Sequence, residues 1–381
     1  MIMKTILFVL AMLSLLASSV FAGLSEGEDA YKRGDYATAL EHFKPLAQEG
    51  DPIAQYNLGG MYENGQGVPK NFEKALKWYR LSAEQGHSVA QNNLGVMYEN
   101  GQGVPKSFAE AVKWYRLSAE QGHSTAQSNL GSLYATGRGV TQSFEEAVKW
   151  YRLAAEQGES KAQNNLGAMY ATGRGAVQSF AEAAKWYRLA AEQGLSGAQS
   201  NLGTLYEYGQ GVTQNFEEAL KWFQLAAEQG ESKAQNNLGS LYANGRGLPQ
   251  RYEEAIKWYQ LAADQGEPLA QYNLGSMYGT GRGVAQNFEE AANRGQSDAQ
   301  YNLGVMYVIG EGVSQNMIAG YALCSLAATS EPNNSRFHSA REALAKRMSK
   351  EHLDIAQALV LEMQQPGNLL AALDEFMNRS R

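Results

Sequence analysis

The six tryptophans of the chain, Trp78, Trp114, Trp150, Trp186, Trp222 and Trp258, stand 36 residues apart without a slip. Such spacing means one supersecondary unit copied along the chain, which restricts the fold to a linear stack whose units cover one another. The chain has 381 residues, enough for two or three ordinary domains, but the period argues for one continuous array. A helix hairpin of this size cannot hide its aromatic face alone. Each Trp and Tyr must therefore be covered by an adjoining unit, and deleting an interior Trp is expected to cost roughly 3–5 kcal/mol.

Residues 88–122 serve as the type unit and predict two helices. In the first, Ala90, Leu94, Met97 and Tyr98 form an apolar stripe at helical spacing. Ser88 with Gln91 has the spacing of a capping box, as do Ser124/Gln127, Ser160/Gln163, Ser196/Gln199, Ser232/Gln235 and Ser297/Gln300. Pro52 and Pro268 suit the first turn of the two copies that lack the serine. The pair Gly101/Gly103 recurs in every copy and reads as a helix cap and turn rather than a phosphate loop, which would occur once and follow a strand. A second capping box, Ser107/Glu110, opens the second helix, whose buried stripe is Phe108, Ala111, Val112, Tyr115 and Ala119, widened by Trp114 and Leu117. Pairs such as Glu145/Lys149, Glu217/Lys221 and Glu253/Lys257 mark the solvated side.

Residues 1–22 read as a signal peptide: Lys4, an apolar run from Ile6 to Leu16, then Val20-Phe21-Ala22 suited to cleavage before Gly23. The expected location is periplasmic or secreted, with retention as an anchor the alternative. No cysteine follows the apolar run, so no lipid anchor is expected, and no later stretch reads as a membrane span. The single Cys324 cannot form an internal bridge. A net charge of −7 without a basic block argues against nucleic acid as a partner.

The run AQxNLGxMYxxGxGVxxxxxxAxKWYRLAAEQG across residues 51–330 resembles Sel1-like repeats, longer-looped relatives of tetratricopeptide repeats, in eight copies. Residues 23–50, with Ala30-Tyr31, Gly34-Asp35-Tyr36 and Ala39-Leu40, resemble one tetratricopeptide unit capping the N-terminal end. Residues 331–381 are similar to the closing helices of such proteins, with helices expected over Arg336–Met348 and Ser349–Gln364. The fold class expected is all-α, a right-handed α-α superhelical solenoid. Copy seven lacks seven residues of its second helix, and a bend or notch is expected there. In copy eight Leu323 and Cys324 stand at the Trp and Tyr positions, so Cys324 reads as a buried packing residue.

The resemblance implies an adaptor or scaffold that binds a protein or peptide on a concave face lined by first helices. Alignment on Leu58-Gly59-x-x-Tyr62 places that face at residues 53, 56, 60, 63 and 64 and their counterparts. The second position reads Tyr56, Asn92, Ser128, Asn164, Ser200, Asn236, Tyr272 and Tyr301, groups suited to a peptide or, alternatively, to peptidoglycan. Lys161 and Lys233 add positive charge, and Leu269, Tyr272, Tyr301, Val305, Val308 and Ile309 form an apolar patch to be covered by the closing helices or a partner. The invariant asparagines beside them, Asn57 and its counterparts, read as bridges between helix backbones, with ligand reading as the alternative. No catalytic, cofactor or metal residues are assigned. Some cysteine-rich members of the family are linked to β-lactam binding, but their paired cysteines and a Ser-x-x-Lys motif are missing. His87 and His123 sit just past helix ends without a metal-ligand pattern.

Overall fold

The computed structural model describes residues 22–365 and 368–379, so the expected signal peptide lies outside the described residues apart from Ala22. Among the described residues all regular structure is helical, in two compact units, the first ending at Leu195 and the second beginning at Ser196. The first unit holds α1 (22–32), α2 (Tyr36–Glu49), α3 (Pro52–Asn64), α4 (Phe72–Glu84), α5 (Ser88–Asn100), α6 (Phe108–Glu120), α7 (Ser124–Thr136), α8 (Phe144–Glu156), α9 (Ser160–Thr172) and α10 (Phe180–Glu192). The second holds α11 (Ser196–Tyr208), α12 (Phe216–Glu228), α13 (Ser232–Asn244), α14 (Tyr252–Asp264), α15 (Pro268–Thr280), α16 (Phe288–Asn293), α17 (Ser297–Ile309), α18 (Met317–Ser330), α19 (Ser335–Ala345), α20 (Lys350–Met363) and α21 (Leu369–Arg379). Successive helices pack on one another from α2 to α10 in the first unit and from α11 to α19 in the second, where α20 packs on α18 and α21, a solenoid of helix hairpins. No described helix is long and apolar enough to cross a membrane.

Within a hairpin the closest packing is glycine against an aromatic ring. A Cβ on Gly95 would lie 2.6 Å from the Tyr115 ring, and Gly131, Gly167, Gly203 and Gly239 meet Tyr151, Tyr187, Phe223 and Tyr259 the same way. Glycine lowers helix propensity by about 1 kcal/mol, so its recurrence in mid-helix reflects this approach. The helix ends in Gly101, left-handed at φ 74°, and Gly103 brings the loop onto the first turn of α4, where a Cβ would stand 2.5 Å from the Phe72 carbonyl. The loop of one repeat thus seats on the second helix of the repeat before it.

The serine–glutamine capping box expected for the first helices is corrected. The N-cap is the preceding residue: His87 and His123 accept the Ala90 and Ala126 N–H groups through Nδ1 at 3.2 Å, while Glu159 and Glu231 accept from Ala162 and Ala234. The glutamine cannot reach back, because it is held elsewhere. Gln91, 4% exposed, donates through Nε2 to the Ala83 carbonyl of the preceding hairpin at 3.1 Å and accepts from Gln121 Nε2 at 2.7 Å. Gln127 and Gln163 repeat both bonds, and Gln235 does so in the second unit. One buried carboxamide therefore ties the last turn of one hairpin to both helices of the next.

The second-helix caps form as read, Ser107 Oγ accepting from Glu110 N–H at 3.3 Å and Asn215 Oδ1 from Glu218 N–H at 3.0 Å. The reciprocal half does not form, since Ser107 N–H donates instead to the Tyr98 carbonyl at 2.8 Å. The lysine pairs also shift by one residue: Lys149 meets Glu146 at 3.6 Å and Lys257 meets Glu254 at 3.0 Å, while Glu145 accepts the Ser143 hydroxyl at 3.1 Å. Burial follows the stripe as read: Tyr115 is 1% exposed, Trp114 and Trp222 are buried at 8% and 9%, Trp78, Trp150, Trp186 and Trp258 are half-buried rims to the core, and Leu117 lies at the solvent edge. Tyrosine takes the deeper place because it faces a glycine, and truncating a rim Trp costs less than the sequence-based figure.

In copy seven α16 has six residues, and the missing turns are covered from the far end of the chain. Leu369, Ala372 and Leu373 of α21 share a core with Ala291, Ala292 and Leu303, and Leu370 N–H donates to Asn293 Oδ1 at 3.3 Å. Leu323 and Cys324 are buried as expected; Cys324 packs where the tyrosine would, its Sγ 2.9 Å from a Cβ built on Gly304, and burial pushes its thiol up to about 11.

The histidine caps predict an acid-sensitive fold. Burial holds both rings below the usual 6.5, reinforced at His87 by His123 and opposed by Asp51. A base with a lowered folded pKa contributes stability that is complete above 6.5 and is lost as pH falls through the folded value. Protonated Nδ1 no longer accepts, so each cap is expected to lose about 0.5–2 kcal/mol. Thermal unfolding between pH 7.5 and 5.5 should show this decline, reduced in H87N/H123N; an unchanged pH slope in that variant contradicts it.

Candidate interaction surface

First-helix side chains divide into a tied interior row and two open edges. At the Asn92 position the side chain is buried, 6% exposed, as are Ser128, Ser200 and Asn236. Asn129 donates to Asn92 Oδ1 at 3.2 Å and Asn273 to Asn236 Oδ1 at 3.0 Å, so the invariant asparagine bridges successive first helices through side-chain amides rather than backbones. Asn92 and Asn236 also donate to Asn93 and Asn237, at 3.3 and 3.4 Å. Asn164 is half-buried. These residues, expected to read a ligand, present little or only part of their surface. Tyr56 is half-buried at the other end of the row, its ring 5.9 Å from Tyr79 and 5.0 Å from His87.

The row toward the loops is anchored as well. Glu63 and Glu99 accept the hydroxyls of Tyr79 and Tyr115 at 2.7 Å. Where Phe223 replaces the tyrosine there is no hydroxyl to give, and Glu207, 4% exposed, pairs with Arg246 at 3.3 Å instead. Burial raises the Glu207 carboxyl above its ordinary value, opposed by Arg246.

Open side chains flank these rows. Lys161 and Lys233 stand exposed in the first turns of α9 and α13. On α15 Leu269 is 61% and Tyr272 59% exposed, and Ile309 is 57% exposed at the end of α17. The predicted apolar patch is thus split. Tyr301 lies under Arg336, 4.1 Å from its ring centroid, and beside Phe337 at 5.3 Å; Val308 packs against the core of α18, α19 and α20; Val305 is half-buried. Tyr208, exposed at the end of α11, is a further aromatic that the sequence reading did not single out, although it occupies the fifth aligned position, a multiple of 36 from Asn64. Among the described residues no group of His, Cys, Asp and Glu is placed to hold a metal ion.

The family model described as "Sel1 repeat" matches residues 19–51, 52–87, 88–123, 124–159, 160–195, 196–231, 232–267, 268–293 and 297–331. The chain belongs to the Sel1 repeat family. Its repeats begin and end where the hairpins do, and the shortened match over residues 268–293 is the copy with the six-residue α16. Among solved structures the chain is similar to a protective antigen present in uropathogenic Escherichia coli strains, described as displaying an SLR fold, at 30% identity and a TM-score of 0.52 over 96% of both chains. It is also similar to a Sel1 repeat protein from Oxalobacter formigenes, at 36% identity and a TM-score of 0.59 over 63% of this chain and 96% of that one. Rat and mouse proteins named DAP3-binding cell death enhancer 1 share 41% identity over 49 residues, so the chain spans about a tenth of the length of those curated relatives. Sel1 and tetratricopeptide-like repeats are folds typical of protein–protein interaction scaffolds, generally without enzymatic activity.

The tied row and the open edge of this Sel1 array respond differently to substitution. Asn92→Leu is expected to destabilise the chain by about 1–3 kcal/mol, because it strands the amide of Asn129. Tyr272→Ser is expected to stay within about 0.5 kcal/mol. Urea unfolding checks both; equal losses contradict the placement.

Proposed function

We propose that the chain is a non-enzymatic adaptor of the bacterial envelope that binds a protein or peptide through its first-helix face, with Leu269 and Tyr272 as the central anchors. The observation carrying this reading is their exposure, near 60% each on one helix, at positions that are half-buried and buried as Val89 and Asn92. Exposed tyrosine beside leucine gives the amphipathic surface that dominates binding energy at protein interfaces. Lys161 and Lys233 supply favourable charge for an acidic partner, and in a chain of net charge −7 they affect association rate more than affinity. The envelope location rests on the signal-peptide reading and is supported by the Escherichia coli relative described as a protective antigen.

Peptidoglycan is the weaker alternative. The amides that suggested it include the buried Asn92 and Asn236, and the exposed Thr136, Thr172 and Thr280 hydroxyls are donated to carbonyls of their own helices at 2.7–2.8 Å.

A photocrosslinker at position 272 is expected to capture a discrete envelope protein, with yield at least tenfold lower in the Leu269→Ser background and none from the same probe at position 225. Purified wall sacculi should bind wild type and Leu269→Ser alike and weakly. Equal yield from positions 272 and 225, or strong retention by sacculi alone, overturns the reading.

A further inference from the structure

Each tyrosine that packs on a mid-helix glycine carries its hydroxyl out toward the first-helix face, and what meets that hydroxyl differs from repeat to repeat. Glu63 and Glu99 accept it from Tyr79 and Tyr115 at 2.7 Å. Ser132 and Asn165 hydrogen-bond with that of Tyr151, and Ser240 with that of Tyr259. Tyr187 has the same pose, its ring 2.8 Å from a Cβ built on Gly167, but Ala168 and Ala171 stand at the positions of those serines and glutamates. Among the described residues its hydroxyl has no hydrogen-bond partner, and burial alone pushes it up to about 12. At neutral pH it is a donor with nothing in the chain to receive its proton.

That hydroxyl can be reached. Tyr187 is 5% exposed, against 1–4% for the other four tyrosines of the row. The unpartnered side-chain atoms that packing encloses among the described residues are Gln102 Oε1, Trp114 Nε1, Trp150 Nε1, Gln300 Oε1 and Ser325 Oγ, so the Tyr187 hydroxyl keeps accessible surface. Its place follows from the repeat: a Cβ on Gly60, the counterpart of Ala168, would lie 3.4 Å from the Tyr79 hydroxyl. Ala171 ends at its Cβ, so the position that the Glu99 carboxylate takes over Tyr115 is left open over Tyr187. The charge nearby is positive. Lys161 stands exposed two turns before Ala168 on the same helix, Arg174 is exposed just past the helix end, and α9 holds no acidic residue, where α3 and α5 each hold a glutamate.

We propose that Tyr187, open between Ala168 and Ala171, receives an aspartate or glutamate side chain of a bound polypeptide, whose carboxylate accepts the Tyr187 hydroxyl as Glu63 and Glu99 accept their tyrosines in cis. The proposal rests on the reading that the first-helix face binds a polypeptide, and names the chemistry of one contact on it. A hydroxyl bonded to a carboxylate is roughly twice as strong as one bonded to a neutral acceptor, so an acidic side chain is preferred to its amide. An ammonium has no lone pair for the hydroxyl proton and meets the Lys161 charge.

NMR of the full chain, with tyrosine carrying ¹³C at Cζ, tests the site. The Tyr187 signal is identified by its loss in Tyr187→Phe, a substitution the fold accepts because Phe223 packs on Gly203 in the same way. Titration with the blocked tripeptide Ala-Glu-Ala is expected to move that signal saturably, with affinity at least fivefold above that of Ala-Gln-Ala. Tyr187→Phe is expected to bind the two peptides equally, read by saturation transfer on the peptide. Ala171→Glu supplies the carboxylate in cis, and is expected to shift the Tyr187 signal without ligand and to abolish the preference. An unmoved Tyr187 signal, equal affinity for the two peptides, or a preference that survives Tyr187→Phe overturns the proposal; acetate matching Ala-Glu-Ala overturns the assignment to a polypeptide. Leu269→Ser is expected to keep the glutamate preference. Failed capture at position 272 with the preference present therefore removes the Leu269 and Tyr272 anchors alone, and capture without the preference removes the Tyr187 site alone.

Discussion

A carboxamide buried at the junction of two hairpins is the interaction on which the array depends. Stacking helix hairpins buries apolar surface in any register, because dispersion and burial are not directional. Hydrogen bonds in a low-dielectric junction are directional and costly to leave unmade, so they select one register. Gln91 meets a backbone carbonyl of the repeat before it and the side chain of Gln121 that closes its own repeat. With glycine facing the tyrosine ring and the Gly103 loop seated on the preceding second helix, three contacts per repeat hold neighbours at one distance and one angle. Stability in such an array is close to a sum of nearest-neighbour terms.

Periodicity carried most of the architecture. Helix positions, glycine caps, serine and asparagine caps of the second helices, and the buried Cys324 follow from spacing and residue type, because they are decided within one or two turns of chain. What spacing could not show was where a side chain goes when two partners compete for it. Gln91 has the offset of a capping box, yet its buried position lets it join three helices, and the cap passes to His87. Lys149 and Lys257 likewise have acceptors at both i−3 and i−4, and each meets the one at i−3. The rank of tyrosine over tryptophan follows from the glycine opposite, a pairing across helices that the 36-residue period alone does not reveal.

The interaction surface was legible in part. Aligned positions located the first-helix face, but sequence variation at the Asn92 position suggested recognition where the structure has a hydrogen-bonded ladder. Asparagine and serine both lie buried in the row, whereas Tyr272 at the same position stands 59% exposed. Exposure concentrates instead at Leu269, Tyr272, Tyr208 and Ile309, toward the repeats that depart from consensus. In the copy with the shortened α16, α21 returns from the end of the chain to pack beside it. The pattern Leu369, Ala372, Leu373 and Phe376 carries the signal for that helix in the sequence.

A double-mutant cycle on Gln127 and Gln157 measures the tie directly. Unfolding of wild type, Gln127→Leu, Gln157→Leu and the double variant in urea is expected to give a coupling energy of about 1 kcal/mol or more, since removing either partner strands the other. Additivity within about 0.3 kcal/mol would show that the paired amides contribute nothing specific to joining repeats, and would contradict the account.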